Sequence, residues 1–261
     1  MSGTRDRWWN RRRLDVMETA GIAAIVCFGT WFAVRPSPFP AEGGAFAAAY
    51  GPGRHSQYVE EWLIRDFFRD KRDGFFVDVG ASDYKVYSNT YFLEASLGWQ
   101  GIAIDPLRQF EADYVKYRPR TRFRPFFVSD VSNEQAKLYV GPNSLVTSGD
   151  KTFTERWGKN TREETAATIT LNDLLDHESV KTFDFLSMDI ELSEPKALAG
   201  FDIARFHPAL VCIEAHPEVR QQILDYFAAH EYVIVSKYLR ADTVNLYFTP
   251  RTSAGVARAA K

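Results

Sequence analysis

Short apolar segments alternate with helical patterns from Phe75 onward, and several of these segments end in an acidic residue. Strands that are apolar on both faces are typical of a parallel sheet covered by helices. Strand–helix alternation of this kind builds a doubly wound α/β sheet, in which ligands bind at the carboxyl ends of the strands. We predict strands at 75–80, 101–105, 123–128, 184–190, 209–214, 232–238 and 243–249, and helices at 58–70, 88–97, 107–117, 194–200 and 218–230.

The end of the chain departs from this parallel pattern. The last two predicted strands are joined only by the short segment Leu239–Asp242, so we expect an antiparallel hairpin. The predicted fold is therefore Rossmann-like, with a mostly parallel sheet closed by an antiparallel C-terminal hairpin. Residues 142–166 are polar and irregular, which indicates an insertion or lid beside the site.

The charge distribution argues against nucleic acid as a partner. The chain carries −2 in total, its residues 1–13 carry +4 and its residues 251–261 carry +3, so the body carries −9. A body this acidic is a poor match for a phosphate backbone. Two cysteines, Cys27 and Cys212, are too few for a disulfide framework or a cysteine zinc site.

Sixteen uncharged residues, Thr19–Val34, follow an arginine cluster near the N-terminus. As a helix they would cover roughly 24 Å, somewhat less than the ~30 Å hydrocarbon core of a bilayer. Trp9 and Trp31 lie where aromatic residues favour the membrane interface. We predict a basic tail at 1–13 and a membrane anchor helix at 14–35; a cleaved signal peptide and a buried soluble helix are the alternatives.

Composition also divides the rest of the chain. Residues 36–57 are rich in proline, glycine and alanine and nearly free of charge, which favours a linker. We therefore expect the globular domain to span residues 58–250 and a basic tail to span residues 251–261.

The first predicted strand carries Asp78 and is followed by Gly80 and Ser82. An acidic residue, a glycine and small residues let the backbone turn sharply and approach a ligand closely. The alternative is that Gly80 only ends the strand and Asp78 caps the next helix. The next glycine is Gly98, so no G-x-G-x-x-G is present, and NAD and FAD are disfavoured.

The second and third predicted strands also end in polar residues. Asp105 is placed to accept hydrogen bonds from the hydroxyls of a ribose, and it can equally cap a helix that begins at Pro106. Ser129 and Asp130 offer donors and acceptors for the edge of an adenine, or they start an ordinary turn.

Two further strands each end in titratable residues two positions apart, Asp189 with Glu191 and Glu214 with His216. Residues at this spacing point to the same side of a strand. Crowded carboxylates can act as a base or bind a cation, and a histidine can take a proton from a hydroxyl near neutral pH. The alternatives are a capped helix start just after Glu191 and a structural turn at His216. The sequence contains no G-x-S-x-G, no H-E-x-x-H and no Walker A motif, which disfavours a hydrolase, a zincin and an NTPase.

From about Phe75 to Pro250 the chain resembles the FkbM family of S-adenosylmethionine-dependent methyltransferases. The matching segments are FVDVGAS, SNTYFLE, GWQGIAIDP, FVSD, FLSMDIELSEPKALAGFD and LVCIEAHP. The resemblance implies a class I methyltransferase fold with S-adenosylmethionine as cofactor. It also implies a hydroxyl of a sugar or small molecule as the usual methyl acceptor.

The resemblance implies roles for the matching residues. Asp78, Gly80 and Ser82 would line the methionine end of the cofactor, and Asp105 would bind its ribose. Ser129 and Asp130 would lie near the adenine. Asp189 and Glu191 would lie in the region of methyl transfer. We expect Asp189 or His216 to accept the proton and Glu191 and Glu214 to orient the acceptor. No residue is assigned to a metal.

Two departures from the family pattern leave the function open. Ser82-Asp83-Tyr84-Lys85 stands where the family often has Asn-x-Gly, and Leu192 replaces a glycine that follows Asp-x-Glu. A leucine at that position can narrow the acceptor site. The two functional hypotheses are an O-methyltransferase acting on a sugar, a glycolipid or another small molecule, and a membrane-tethered binding module without activity.

The location of the domain has two opposing indications. The arginine-rich tail is expected to stay in the cytoplasm, which would carry the domain across the membrane. The cofactor is made in the cytosol, so its supply favours a domain on the cytoplasmic side of a shallow anchor.

Overall fold

The computed structural model describes residues 42–251, which form eleven β-strands and nine α-helices. The strands are β1 (Phe75–Val79), β2 (Gln100–Ile104), β3 (Thr121–Arg124), β4 (Phe127–Val128), β5 (Gln135–Val140), β6 (Thr147–Ser148), β7 (Arg162–Ile169), β8 (Phe185–Met188), β9 (Leu210–Glu214), β10 (Tyr232–Ile234) and β11 (Asn245–Pro250). The helices are α1 (Glu42–Tyr50), α2 (Glu60–Phe68), α3 (Tyr91–Leu97), α4 (Glu111–Tyr117), α5 (Lys151–Glu155), α6 (Leu171–His177), α7 (Glu194–Ala199), α8 (Ile203–Phe206) and α9 (Arg220–Ala229).

Seven strands form the main sheet in the order β10-β11-β9-β8-β1-β2-β3. The five strands from β9 to β3 run parallel, and β11 is antiparallel to both β9 and β10. The central strand β1 is paired on both sides, with Val77 opposite Ile102 and Leu186. The predicted Rossmann-like α/β fold, mostly parallel with an antiparallel C-terminal hairpin, is confirmed.

Helices α6 to α9 pack with the strands of this sheet in one continuous apolar core. Leu174, Leu198, Phe206 and Phe227 are each essentially inaccessible to solvent. Burying one such side chain stabilises the fold by about 1.5–3 kcal/mol. This core holds the carboxyl ends of β1, β8 and β9 in fixed relative positions.

The C-terminal hairpin differs from its prediction in the connection between its strands. Residues 235–244 join β10 to β11 and include a 3₁₀ turn at Ser236–Tyr238, where the sequence suggested a turn of four residues. The Tyr238 side chain is buried, its ring contacts Tyr247, and its hydroxyl donates a hydrogen bond to Asp66. Because Tyr238 is buried in this way, the chain leaves the strand after Ile234.

The polar segment 142–166 is more regular than predicted. Strand β7 pairs antiparallel with β5, from Gln135 opposite Ala167 to Val140 opposite Arg162, in a second sheet of order β4-β7-β5-β6. The first residues of β7 are mostly exposed, so their polar sequence conceals the strand. The segment does lie beside the site, as described below.

The predicted linker contains helix α1, which packs against the predicted helix α2. The Tyr50 hydroxyl donates a hydrogen bond to Asp66 (3.2 Å), and Arg65 donates one to the Tyr50 carbonyl (2.9 Å). The predicted membrane anchor at 14–35 lies outside the described residues, as do both basic tails apart from Arg251. Within residues 42–251, no helix combines the length and the apolar character that a membrane crossing requires.

A buried arginine, Arg118, fixes the segment that leads from β1 to α3. Its guanidinium pairs with Glu94 (2.6 Å) and donates hydrogen bonds to the carbonyl oxygens of Tyr84 and Thr90. The Arg118 and Glu94 side chains are only 1% and 5% exposed. Removing one member of a buried ion pair leaves the other charge without compensation, which is strongly destabilising.

We therefore expect Arg118→Met to lower the free energy of unfolding by about 3–5 kcal/mol, measured by urea denaturation. The double variant Arg118→Met/Glu94→Gln removes the uncompensated carboxylate and should recover part of this loss. A loss below about 1 kcal/mol in the single variant would contradict this role of Arg118.

Candidate active site

Gly80 allows the ends of β1 and β8 to meet. Its φ is +84°, and a Cβ atom at this position would lie 1.8 Å from the carbonyl oxygen of Asp189. The Gly80 amide donates a hydrogen bond to the Ile104 carbonyl (2.8 Å), which ties the same turn to β2. We expected the backbone at Gly80 to approach another group closely, and in the structure that group is the backbone of Asp189.

A cleft opens at this edge of the sheet, beside the ends of β1, β2 and β8. Five predicted site residues lie in its wall: Gly80, Ser82, Asp105, Asp189 and Glu191. The sequence interpretation missed the rest of the wall, which consists of Val79, Ile104, Pro106, Phe126, Phe127, Val128, Ser144, Leu145, Thr147 and Ile190. Three of these residues belong to the polar segment 142–166, which confirms its predicted place beside the site.

Asp105 is held by two backbone amides. Its Oδ1 accepts a hydrogen bond from the Leu107 amide (2.8 Å) and its Oδ2 accepts one from the Ser82 amide (3.0 Å). Burial raises the pKa of the Asp105 carboxyl to about 6, and the two amides oppose that shift. No helix begins at Pro106: the next helical turn starts at Arg108, and its N-cap residue, Leu107, makes no side-chain cap. The helix-cap alternative for Asp105 is therefore wrong. Its carboxylate closes a turn through the Leu107 amide and also lies in the cleft wall, where its remaining lone pairs can accept ribose hydroxyls.

The Ser82 hydroxyl oxygen is buried and has no hydrogen-bond partner among residues 42–251. Its backbone lies in the left-handed region, with φ +48°. A buried polar atom left without a partner in a native structure calls for an explanation, and a ligand supplies one here. Together with the Asp105 carboxylate, this hydroxyl makes a polar end for the cleft that fits an adenosyl cofactor.

Asp78 lies behind the cleft wall. Its carboxylate accepts a hydrogen bond from the Thr90 hydroxyl (2.7 Å), and Asn89 donates one to the Ser187 hydroxyl. Burial raises the pKa of Asp78, and Thr90 and Arg118 oppose that shift. The SNTY segment therefore anchors the loop after β1, and the assignment of Asp78 to the methionine end of the cofactor stays a prediction.

Ser129 and Asp130 also lie outside the cleft wall. The Ser129 hydroxyl donates a hydrogen bond to Asp130 (2.9 Å), and the turn packs closely against Gly200 at the end of α7. Their assignment to adenine stays a prediction. Phe126 and Phe127, just before them, present aromatic rings that can cover a base.

Glu191, Glu214 and His216 form a cluster at the ends of β8 and β9. His216 Nε2 lies 3.3 Å from Glu191 Oε2 and 3.0 Å from Glu214 Oε2. Phe153 contacts the imidazole ring, with 5.0 Å between the ring centroids. Glu214 and His216 thus lie behind the cleft and reach it through Glu191.

The charges in this cluster influence one another. The pKa of His216 is raised to about 10 by its hydrogen bond to Glu191 and by the neighbouring Glu214, so the ring is an imidazolium at neutral pH. Burial, together with Glu214 and Glu191, raises the pKa of Asp189 well above its ordinary value. Asp189 lies in the cleft wall and His216 does not, so position favours Asp189 over His216 as the base.

Glu194 belongs to the same acidic region and was interpreted from the sequence only as part of a helix start. Its Oε1 accepts a hydrogen bond from the Ile190 amide (2.9 Å), whereas its Oε2 is buried without a partner. Burial raises the pKa of Glu194 to about 7.

Leu192, the departure from the family pattern, does not stand in the cleft wall. Its φ is +76°, so the backbone keeps a conformation that favours glycine. Its side chain packs against the main apolar core. The structure therefore does not support the expectation that Leu192 narrows the acceptor site.

The raised pKa of Glu194 predicts a pH-dependent stability. A carboxyl with an ordinary pKa near 4.5 and a folded value near 7 favours folding below pH 4.5, and its contribution is lost as the pH rises through 7. We expect Glu194→Gln to be more stable than the wild type at pH 8, by about 2 kcal/mol, and to lose this advantage at pH 5.

Urea denaturation in chelator-treated buffer measures this difference, with Glu155→Gln on the exposed side of α5 as the matched control. Equal advantages of the Glu194 variant at both pH values would contradict the assignment.

Comparisons with known proteins identify the family. Residues 78–234, more than half of the chain, match the methyltransferase FkbM domain. A search of curated proteins finds no match. Among solved structures, a TehB-like SAM-dependent methyltransferase from Corynebacterium glutamicum is 14% identical over 81% of this chain and 99% of that chain, with a TM-score of 0.43. A 1,6-didemethyltoxoflavin-N1-methyltransferase from Burkholderia thailandensis, solved with 1,6-didemethyltoxoflavin and S-adenosylhomocysteine, is 10% identical over 95% and 90% of the two chains, with a TM-score of 0.34.

These structural similarities are too low to carry an argument about the reaction. The family match agrees with the observed mostly parallel sheet and its antiparallel C-terminal hairpin. The chain belongs to the FkbM family of methyltransferases, which use S-adenosylmethionine.

Proposed function

We propose that the protein is an O-methyltransferase that transfers a methyl group to a hydroxyl of a sugar, a glycolipid or another small molecule. The position of Asp189 carries this proposal, because this residue lies in the cleft wall directly after β8. A hydroxyl is a weak nucleophile until its proton is removed. A carboxylate shielded from water is a stronger base than one in solvent, so Asp189 suits this task.

S-adenosylmethionine, when bound, supplies a methyl group on a positively charged sulfur. The Asp189 carboxylate takes the proton as the O–H bond of the acceptor breaks. The acceptor oxygen bonds to the methyl carbon while the carbon–sulfur bond breaks, and S-adenosylhomocysteine leaves. The acidic wall near Asp189 also suits a cationic sulfonium electrostatically.

The other residues hold and orient the reactants. Asp105 and Ser82 bind the polar parts of the cofactor, and Phe126 and Phe127 exclude water from the cleft. His216 positions Glu191 at the cleft wall through its hydrogen bond and charge. Glu191 can then accept a hydrogen bond from a second hydroxyl of the acceptor, which orients it for transfer.

We expect Asp189→Asn to lower the rate of methyl transfer by about 10²–10⁴-fold and to change cofactor affinity little, because it removes the base but keeps the shape of the cleft. Transfer of labelled methyl groups to glycan and glycolipid extracts measures the rate, and calorimetry measures the affinity. Glu155→Gln, an exposed carboxylate outside the cleft wall, is the control. A variant as active as the wild type would contradict the role of Asp189.

The unpartnered Ser82 hydroxyl offers a clean test of cofactor placement. Ser82→Ala removes no internal hydrogen bond, so we expect unchanged thermal unfolding. S-adenosylmethionine affinity should fall about 2- to 10-fold, since one hydrogen bond to the ligand is lost. Asp105→Ala should weaken binding further, and Glu155→Ala, at an exposed position outside the cleft wall, should leave it unchanged. Equal affinities of all three variants would rule out this placement.

A binding module without activity is the second hypothesis, motivated by the altered turn after Ser82 and by Leu192. The position of Leu192 against the core gives it no support. Cofactor binding by the wild type without methyl transfer to any hydroxyl acceptor would favour it.

We also propose that residues 14–35 anchor the domain to a membrane, with the domain on the cytoplasmic side where the cofactor is made. The uncharged run after the arginine cluster supports the anchor.

We expect the full chain to sediment with membranes and to resist carbonate extraction, and a chain starting at Glu42 to stay in the supernatant. Digestion of the domain in sealed inverted vesicles, but not in right-side-out vesicles, would agree with the cytoplasmic side. The reverse digestion pattern, or a full chain in the supernatant, would contradict this proposal.

A further inference from the structure

Glu191, Glu214 and His216 bring two carboxylate oxygens and one imidazole nitrogen together. One ligand atom from each residue lies within 4.8 Å of the other two. The imidazole Nε2 is 3.3 Å from one carboxylate oxygen and 3.0 Å from the other. Two neighbouring ligands of a metal ion bound at about 2.1 Å are themselves about 3 Å apart, so the spacing fits a common ion.

A second observation concerns the carboxylate oxygens themselves. Glu214 is 8% exposed, and its buried Oε2 has His216 Nε2, 3.0 Å away, as an ion-pair partner but no hydrogen bond of regular geometry. The Oε2 atom of the neighbouring Glu194 is also buried without a partner. Buried carboxylate oxygens are normally paired, hydrogen-bonded or bound to a metal.

The arrangement of the charged groups agrees with a bound cation. His216 Nε2 lies within 3.3 Å of both glutamate carboxylates. A metal ion among these three side chains would occupy the place of a proton on Nε2.

We propose that Glu191, Glu214 and His216 bind one divalent transition-metal ion. The mixed set of one nitrogen and two oxygens favours Mn²⁺, Fe²⁺ or Zn²⁺ over Mg²⁺ and Ca²⁺, which prefer oxygen ligands alone. Three protein ligands leave coordination positions free for water or substrate.

The place of Glu191 in the cleft wall gives the ion a use in the reaction, and this part rests on the proposed O-methyl transfer. A hydroxyl bound to a divalent cation loses its proton more readily. The acceptor oxygen would bind the ion, its proton would pass to Asp189, and the oxygen would then bond to the methyl carbon.

Mn²⁺ binding to the chelator-treated full chain tests the site, with the electron paramagnetic resonance signal of free Mn²⁺ as the readout. We expect about one ion per chain and a higher melting temperature with the ion than without it. Glu214→Gln and His216→Ala should each weaken binding at least about tenfold. Glu218→Gln, an exposed carboxylate two residues after His216, is the matched control and should bind like the wild type. Excess Mg²⁺ should compete poorly.

Absence of Mn²⁺ binding, or binding that survives in both ligand variants, would overturn the site. Calorimetry with S-adenosylmethionine shows whether each variant is still folded, because the cofactor contacts lie elsewhere in the cleft. Ion binding without methyl transfer would support the metal site and contradict the proposed reaction. Methyl transfer without ion binding would support the proposed reaction and contradict the metal site.

Discussion

The close contact between Gly80 and the backbone of Asp189 determines the shape of the cleft. The carbonyl oxygen of Asp189 occupies the space that any side chain at position 80 would need. The contact brings the carboxyl ends of β1 and β8 together, and the hydrogen bond from Gly80 to Ile104 adds β2. As a result Ser82, Asp105 and Asp189, which are far apart in sequence, line one small-molecule cleft.

The acidic residues at the strand ends have different hydrogen-bond partners and surroundings, and these differences suit them to different roles. Asp105 is held by two backbone amides and still presents lone pairs to the cleft. Asp78 is satisfied by Thr90 and supports the loop behind the wall. Burial and the neighbouring carboxyl groups raise the pKa of Asp189 well above its ordinary value, so it holds a proton more tightly than an aspartate in solvent. A residue that must exchange a proton benefits from this environment, whereas one that only binds does not.

The sequence predicted most of the main sheet, because nearly continuous apolar strands such as β1 and β9 fit best in the centre of a parallel sheet. The single strand predicted at 123–128 is wrong, since β3 ends at Arg124 in the main sheet and β4 belongs to the second sheet. It did not show β7, whose first residues face solvent, or α1, whose alanines and glycines are typical of a linker. In the site, the acids after β2 and β8 were placed correctly by the rule on strand ends. The sequence did not show that Asp78 points behind the wall or that Phe126 and Phe127 line it, since both depend on tertiary packing.

The structure of the protein with S-adenosylhomocysteine tests the central claim most directly. We expect the ribose hydroxyls to bind the Asp105 carboxylate, the Ser82 hydroxyl to gain a partner, and the sulfur to face Asp189. A ligand located outside this cleft, or one that leaves both Asp105 and Ser82 without contact, would contradict the account.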